Sequence, residues 1–251
     1  GLPDDITPLA VVLIKDKLRE NVNDTINYFK EQGVALKVIS GDSVKTVQNI
    51  AKDTGITGAE NAIDMTTVKT QEELEKAAEN CSVFGRVTPQ QKKQLVIALK
   101  KKGHSVAMTG DGVNDVLALK EADCSIAMAA GSDAARNVSQ LVLVNNDFAS
   151  MPGVVAEGRR TINNLERSSA LYIVKTIYTI ILSVFFIFFH MPYPFEPIHF
   201  SLVGALTVGL PSFVLALQPN KNRIKGNFTY NIIARAVPAA FCTVLNIIGM
   251  A

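Results

Sequence analysis

Two aspartates and an asparagine lie within five residues of one another in the stretch MTGDGVNDVLALKEAD, residues 108–123. Asp111, Asn114 and Asp115 follow a short apolar run, and glycines flank the first aspartate. Carboxylates are hard oxygen ligands suited to Mg²⁺, which binds carboxylates, water and phosphate oxygens together. We therefore predict that Asp111 and Asp115 are magnesium ligands. The alternative is an ordinary polar turn in which Asn114 caps the next helix.

Two further segments carry groups suited to a phosphoryl group. Ser40, Gly41 and Asp42 follow the apolar run VALKVI at residues 34–39. Ser40 can donate a hydrogen bond to a phosphoryl oxygen, and Lys92 can offset the charge of that group. Each signal is weak alone, because such turns and lysines are common on protein surfaces. Their order along the chain, each beside a predicted strand or helix, favours one shared phosphate site.

The elements that would position these residues alternate between strands and helices. Short apolar runs typical of buried parallel strands lie at residues 9–14, 34–39, 106–108, 124–127 and 141–144. Residues 22–33 show helical spacing before a terminal glycine, and Thr88 with Gln91 forms a predicted capping box for a helix that ends at Gly103. The alternation predicts a doubly wound, Rossmann-like α/β domain whose ligands bind at the carboxyl ends of the strands.

The C-terminal third has the composition of membrane helices. Residues 170–191, 198–217 and, more weakly, 232–251 each approach the roughly 20 apolar residues that cross a bilayer. The alternative, a buried helical hairpin of a soluble protein, fits poorly because such helices rarely lack a polar face for so long. Lysines and arginines flank the first pair on their outer sides, and the link between the two has none. This predicts an integral membrane protein with a cytoplasmic soluble domain, and the short loops favour the plasma membrane.

Charge and cysteine content exclude some classes of function. The formal net charge of the 251-residue chain is +2, which gives no reason to expect a nucleic acid partner. Cys81, Cys124 and Cys242 lie far apart, so neither a zinc site nor a disulfide framework is predicted.

Lys175 is the one charged residue in the first membrane segment. It either faces a partner or wet cavity, or its amine extends to the membrane surface.

The segments described above resemble those of P-type ATPases, which are members of the haloacid dehalogenase-like phosphotransferases. The stretch at 108–128 resembles the family's hinge motif. Other stretches agree in the same order: LIKDKLREN with Asp16 and Arg19, VISGDSVKT, VFGRVTPQQK, EGRRTINN before the fifth membrane helix, and GLPSFVLAL in the unwound part of the sixth.

The resemblance implies a set of site residues and two cofactors, Mg²⁺ and ATP. The residues that would hold the phosphoryl group and its magnesium ion in place are Ser40, Gly41, Lys92, Asp111, Asn114 and Asp115. Two further residues, Asp42 and Arg86, would help to seat ATP. Residues 1–158 would be the C-terminal part of the cytoplasmic phosphorylation domain, and residues 159–251 the stalk with membrane helices five, six and part of seven.

The family's phosphorylated Asp-Lys-Thr-Gly-Thr motif does not occur in this sequence. We therefore expect a piece of a longer pump, inactive alone, whose partners include the lipid bilayer, the actuator and nucleotide-binding domains and membrane helices one to four. Well-known calcium and sodium pumps carry Asn and Asp where Gly204 and Val208 stand here. The remaining transport-site candidates are Lys175, Thr176, Thr179, Gly209 and Pro211.

A cation pump is the function that the resemblance favours. Two alternatives stay open from the sequence. One is a transporter of a lipid or organic cation, which the scarcity of carboxylates in the membrane helices favours. The other is a phosphatase-like or inactive protein of the same superfamily with a membrane anchor.

Overall fold

The computed structural model describes residues 21–190, 193 and 195–250, with residue 197 described by its backbone alone. The predicted strand at 9–14 and the pair Asp16 and Arg19 lie outside the described residues. The chain divides into two compact units, Gly1–Pro152 and Gly153–Ala251.

The described part of the first unit contains two parallel three-stranded sheets. Strands β1 (Val38–Ile39), β2 (Ala62–Asp64) and β3 (Val83–Gly85) form one sheet in the order β1-β3-β2. Strands β4 (Ala107–Gly110), β5 (Cys124–Met128) and β6 (Leu141–Leu143) form the other in the order β4-β5-β6. All four strand pairs are parallel, which confirms the predicted class of sheet.

Two details of the strand prediction are wrong. The run at 34–39 forms a strand only at Val38–Ile39, because Val34 is exposed and has no neighbouring strand to pair with in the described sheet. Strands β2 and β3 were not predicted, although Val83 and Phe84 in β3 are almost fully buried.

Helices α1 to α6 separate these strands. Their bounds are Val22–Glu31, Val44–Asp53, Gln71–Asn80, Pro89–Lys101, Val116–Glu121 and Asp133–Val138. Helix α4 begins with the predicted capping box: Gln91 N–H donates to Thr88 Oγ1, and Thr88 N–H donates to the Gln91 side chain. Helix α3 begins with an equivalent box formed by Thr70 and Glu73. Each box satisfies two backbone N–H groups that a helix start leaves unpaired.

Apolar side chains from the helices bury the sheets. Phe84, Met65 and Leu95 form the centre of the first cluster, and each is at most 1% exposed. Leu119 and Val96 lie in a second cluster behind β4. Burying one such side chain contributes about 1.5–3 kcal/mol. The packing of α4 between α3 and α5 therefore fixes the start of this helix, where Lys92 lies.

The second unit consists of long apolar helices. Its helices are α7 (Met151–Phe189), α8 (Pro197–Gly204), α9 (Leu210–Leu217) and α10 (Phe228–Met250). A π-helical turn, Ala205–Gly209, joins α8 to α9. Within the described residues, three segments are long and apolar enough to cross a membrane: Phe148–Phe189, Ile198–Leu217 and Phe228–Met250. The predicted domain boundary at 158/159 falls within α7 and stays a prediction.

Polar contacts join the helices of this unit at one end. Asn163 Nδ2 donates to the carbonyls of Asn220 and Asn222, in the link between α9 and α10. Asn164 Nδ2 likewise donates to carbonyls at the end of α9. Glu166, which is 5% exposed, accepts from Arg235 at 3.2 Å and from Asn231 at 3.3 Å on α10.

Candidate functional site

The end of strand β4 leads directly into the predicted aspartate turn. Asp115 lies on a short 3-10 turn, and its Oδ2 accepts a hydrogen bond from Gly112 N–H at 3.2 Å. A Cβ added at Gly110 would lie 2.6 Å from the Cβ of Asp115. No larger residue fits there, so this glycine permits the turn to close. The carboxylate of Asp115 is thereby buried under the end of the strand.

Lys92 reaches the same carboxylate from helix α4. Its Nζ lies 2.6 Å from Asp115 Oδ1, and each side chain is only 11% exposed. The first turn of α4 positions the amine, because Thr88 caps the helix and Lys92 N–H donates to the Thr88 carbonyl. The structure thus brings together two predicted site residues that are 23 positions apart in the sequence.

Asp111 differs from Asp115 in being exposed. Within the described residues, no hydrogen bond or ion pair to its carboxylate is found, so both of its oxygens are open to a ligand. Its backbone carbonyl accepts a hydrogen bond from Ser132 N–H at 2.7 Å. A Cβ at Gly131 would lie 2.7 Å from the same carbonyl. The loop after β5 therefore packs closely against Asp111.

Arg136, which the sequence motifs do not predict, holds that loop in place. One guanidinium nitrogen donates to the carbonyls of Ala129 and Gly131, and another is paired with Asp133. Ser132 caps α6, because its side chain accepts from Ala135 N–H at 3.2 Å. The signal in the sequence was a third polar loop after an apolar strand, Gly-Ser-Asp at 131–133.

Ser40, Gly41 and Asp42 form a turn at the end of strand β1. Ser40 Oγ donates to Asp42 Oδ2 at 3.1 Å and accepts from Asp42 N–H. The carbonyl of Ser40 accepts from Val87 N–H, and the carbonyl of Asp42 accepts from Arg86 N–H at 2.8 Å. The turn is therefore fixed to the segment that leads into α4.

Arg86 has a backbone φ of 53°, in the left-handed region that non-glycine residues seldom occupy. Its guanidinium lies 3.4 Å from Asp64 at the end of β2, a residue that the sequence motifs do not predict. Hydrogen bonds from Thr66 and the nearby charge of Arg86 lower the pKa of Asp64 below its usual value. Arg86 remains largely exposed, so its charge faces solvent beside the Ser40 turn.

The predicted site residues thus form two groups, linked by the start of α4. Lys92, Asp111, Asn114 and Asp115 surround the β4 turn, where the Asn114 side chain is exposed. Ser40, Gly41, Asp42 and Arg86 surround the end of β1. In the described part of the chain, no hydrogen bond joins the side chains of the two groups. The two groups could therefore act as one site only through a ligand that contacts both of them.

The side chains around the β4 turn suit Mg²⁺, which takes part of its ligands from water and phosphate, better than a cation that only protein ligands surround. Within the described residues, no group of three or more His, Cys, Asp or Glu side chains could enclose a metal. Mg²⁺ typically takes one or two carboxylates and completes its shell with water and phosphate oxygens. Asp111 offers one open carboxylate, whereas both oxygens of Asp115 already accept hydrogen bonds. The residues present fit such a shared site.

In the membrane unit, the predicted hydroxyls bond to their own helix. Thr176 Oγ1 donates to the Tyr172 carbonyl, and Thr179 Oγ1 donates to the Lys175 carbonyl at 2.8 Å. The resemblance implied an unwound Gly-Leu-Pro segment at residues 209–211. In the structure this segment is helical. The π-helical turn ends at Gly209, and Pro211 lies in the first turn of α9.

Comparison with known proteins agrees with this geometry. A model of the haloacid dehalogenase-like hydrolases matches residues 2–123. The calcium-transporting ATPase CtpE of Mycolicibacterium smegmatis is 43% identical over 94% of the chain, and the match covers 31% of that protein. A probable cation-transporting ATPase, exp7, of Streptococcus pneumoniae is 41% identical over 98% of the chain, and the match covers 32% of it.

A solved structure, the catalytic domain of the CPx-ATPase CopB-B, is 29% identical with a TM-score of 0.43 over 54% of the chain and 44% of that structure. This TM-score is below the level that a shared fold requires. The chain spans about a third of the length of the curated relatives that it matches.

The chain therefore contains a haloacid dehalogenase-like hydrolase domain with parallel sheets, followed by three long apolar helices that could span a membrane. Over most of its length it is homologous to P-type calcium- and cation-transporting ATPases. The apolar helices and these relatives support an integral membrane protein.

Proposed function

We propose that this chain is part of an ATP-driven cation transporter that couples magnesium-dependent phosphorylation of an aspartate, elsewhere in the protein, to transport. The observation that carries the proposal is the buried ion pair between Lys92 and Asp115, on the same turn as the exposed carboxylate of Asp111. An amine and an exposed carboxylate near one another suit a phosphoryl group that binds together with a metal ion, because the amine offsets its charge and the carboxylate can hold the metal.

Each residue of the β4 group has a distinct part in this proposal. Asp111 would hold Mg²⁺, which when bound neutralises charge on the phosphoryl oxygens. Lys92 would offset charge on the same group, and Asp115 keeps its amine in position. Asp115 was predicted as a second metal ligand, but its two hydrogen bonds favour this positioning part. Asn114, exposed on the turn, would donate to the phosphorylated side chain.

The β1 group would bind the phosphoryl group and nucleotide from the other side. The hydroxyl of Ser40 and the backbone N–H of Gly41 are donors suited to phosphoryl oxygens. Gly41 has open space around it, since a Cβ there would meet only the Val87 carbonyl at 4.0 Å. Asp42 and Arg86 would seat ATP, Arg86 through its exposed guanidinium.

For the cation, Ca²⁺ is the first candidate, because relatives 43% identical are calcium-transporting ATPases. We further propose a plasma-membrane protein with its soluble domain in the cytoplasm. The partners would be actuator and nucleotide-binding domains and other membrane helices of the same pump. A lipid or organic cation is the second candidate, because Glu196 is the only carboxylate beyond Ala170.

Replacement of Asp111 by Asn tests the magnesium site. In the full-length protein, Asp111→Asn should reduce the phosphoenzyme formed from radioactive ATP and Mg²⁺ by at least about a hundredfold, because the site would lose its metal ligand. Asp53→Asn is the control, since Asp53 is an exposed carboxylate at the end of α2, outside the site. Normal labelling of Asp111→Asn would contradict the proposal.

The transported species needs a separate test. ATP hydrolysis by the full-length protein should be stimulated by Ca²⁺ or another cation in a panel at fixed Mg²⁺. Stimulation by a phospholipid and by no cation would instead favour the second candidate.

A further inference from the structure

The amine of Lys175 lies against helix α8 at Gly204. A Cβ added at Gly204 would lie 2.7 Å from Lys175 Nζ and 3.9 Å from its Cε. Non-bonded atoms do not approach so closely, so the amine occupies the space that the glycine leaves open. The side chain thus crosses from α7 to α8. The sequence had left open a second position for this amine, at the membrane surface.

Within the described residues, no acidic side chain forms an ion pair with this amine; Glu157 pairs with Arg160, and Glu166 pairs with Arg235. Glu196 is eight residues before Gly204, at the other end of α8, about 12 Å away along the helix. A charged side chain within a membrane span normally faces a partner, a pathway or a water-filled cavity.

The backbone next to this amine is irregular. The π-helical turn Ala205–Gly209 begins directly after Gly204, and π-turns inside helices are frequent at functional sites. Thr207 Oγ1 donates to the Val203 carbonyl at 2.6 Å, which leaves the lone pairs of its own oxygen as acceptors. A cation that lost its water here would meet hydroxyls and carbonyls, and also the fixed charge of Lys175.

We propose that the ammonium group of Lys175 is a tethered cation beside this π-turn, and that it limits the affinity of the membrane unit for the transported cation. The inference rests on the proposed cation transport. Like charges repel strongly in a medium of low dielectric constant, so the amine weakens the binding of any cation beside it. Lys175 would then influence which cations bind through its charge, although it does not coordinate the ion.

Removal of the charge is the first test. Binding of radioactive Ca²⁺ would be measured by equilibrium dialysis on the full-length protein in detergent, without ATP. Lys175→Met should lower the Ca²⁺ concentration for half-saturation by about tenfold or more, because the repulsion is lost. Lys175→Arg retains the charge and should leave that concentration within about twofold of the wild type.

Displacement of the amine is the second test, because it leaves the charge in the protein. Gly204→Ala should push the flexible end of Lys175 aside and lower the half-saturating Ca²⁺ concentration by about threefold. Gly158→Ala is the matched control: it adds the same methyl group to helix α7, and a Cβ there would meet nothing within 4 Å. In the Lys175→Met background, Gly204→Ala should have no further effect, since no amine remains to be moved.

Three results would overturn the inference: unchanged Ca²⁺ binding by Lys175→Met, an equal effect of Gly204→Ala in both backgrounds, or no Ca²⁺ binding by any variant. The phosphorylation assay on Asp111→Asn is independent of these measurements. Failure of that assay with the expected Ca²⁺ binding would contradict the magnesium site and leave the part of Lys175 intact.

Discussion

At the scale of single residues, the ion pair between Lys92 and Asp115 is the best-defined feature of the candidate site. Both side chains are largely buried, and Gly112 N–H satisfies the second carboxylate oxygen. A buried charge that loses its partner is costly, because no water replaces the lost interaction. The pair therefore has a structural part as well as a proposed part in phosphoryl transfer.

Replacement of Lys92 by Met should destabilise the protein by about 3–5 kcal/mol, because Asp115 would stay buried and unpaired. Lys93→Met is the matched control on the same helix. The ion pair of Lys93 with Glu121 is more exposed, at 38% and 33%, and should contribute at most about 1 kcal/mol. Thermal unfolding of the purified protein, followed by circular dichroism, would measure both. Equal shifts in Tm would contradict the buried pair.

Motif order was enough to predict most of the residues that the structure places around the two turns. Ser40, Lys92 and Asp111 are examples, because each follows a strand or a capped helix start. Arg136 and Asp64 were not predicted. Arg136 acts by donating to backbone carbonyls, and Asp64 by pairing with a residue 22 positions away. Neither relation leaves a pattern in local sequence.

At the scale of secondary structure, the capping boxes of α3 and α4 offer a matched pair of helix starts. Thr70 with Glu73 and Thr88 with Gln91 make the same two backbone contacts. Only α4 carries a candidate site residue, Lys92. The two helices therefore separate the effect of a lost cap on stability from its effect on the site.

Thr88→Ala and Thr70→Ala should each lower the free energy of unfolding by about 1 kcal/mol, since each helix loses one capping acceptor. Only Thr88→Ala should also slow the formation of phosphoenzyme from ATP, because fraying of the α4 start would move Lys92. Tm and the rate of labelling would be compared for the two variants. An equal loss of labelling in both would show that the effect is general destabilisation.

Helices were easier to predict than strands. The α4 helix was predicted from its caps, which are local signals. Strands β2 and β3 are three residues each, too short to show alternation, and their identity comes from pairing with each other. The π-helical turn at Ala205–Gly209 was not predicted either.

At the scale of the whole chain, polar side chains of α7 hold the other long helices of the membrane unit. Glu166 is the central residue, buried and bonded to Arg235 and Asn231 of α10. These contacts join positions 65 and more residues apart in the sequence. Apolar packing of Tyr178 and Leu182 against Ala240 continues the same interface.

Glu166→Ala should therefore destabilise the membrane unit by about 1–3 kcal/mol, because Asn231 and Arg235 lose a shared acceptor. Glu157→Ala is the control on the same helix. Its pair with Arg160 is exposed and should contribute at most about 1 kcal/mol. Aggregation temperature in detergent, measured by light scattering, would compare the variants. A larger shift for Glu157→Ala would refute the assigned importance of Glu166.

The backbone of Arg86 has a consequence for how the whole chain tolerates change. A non-glycine residue at a φ of 53° carries a steric penalty of about 1–3 kcal/mol that the rest of the fold must offset. Arg86→Gly would remove this steric penalty and the guanidinium at the same time. At this position, a change that stabilises the protein would therefore weaken the proposed binding of ATP.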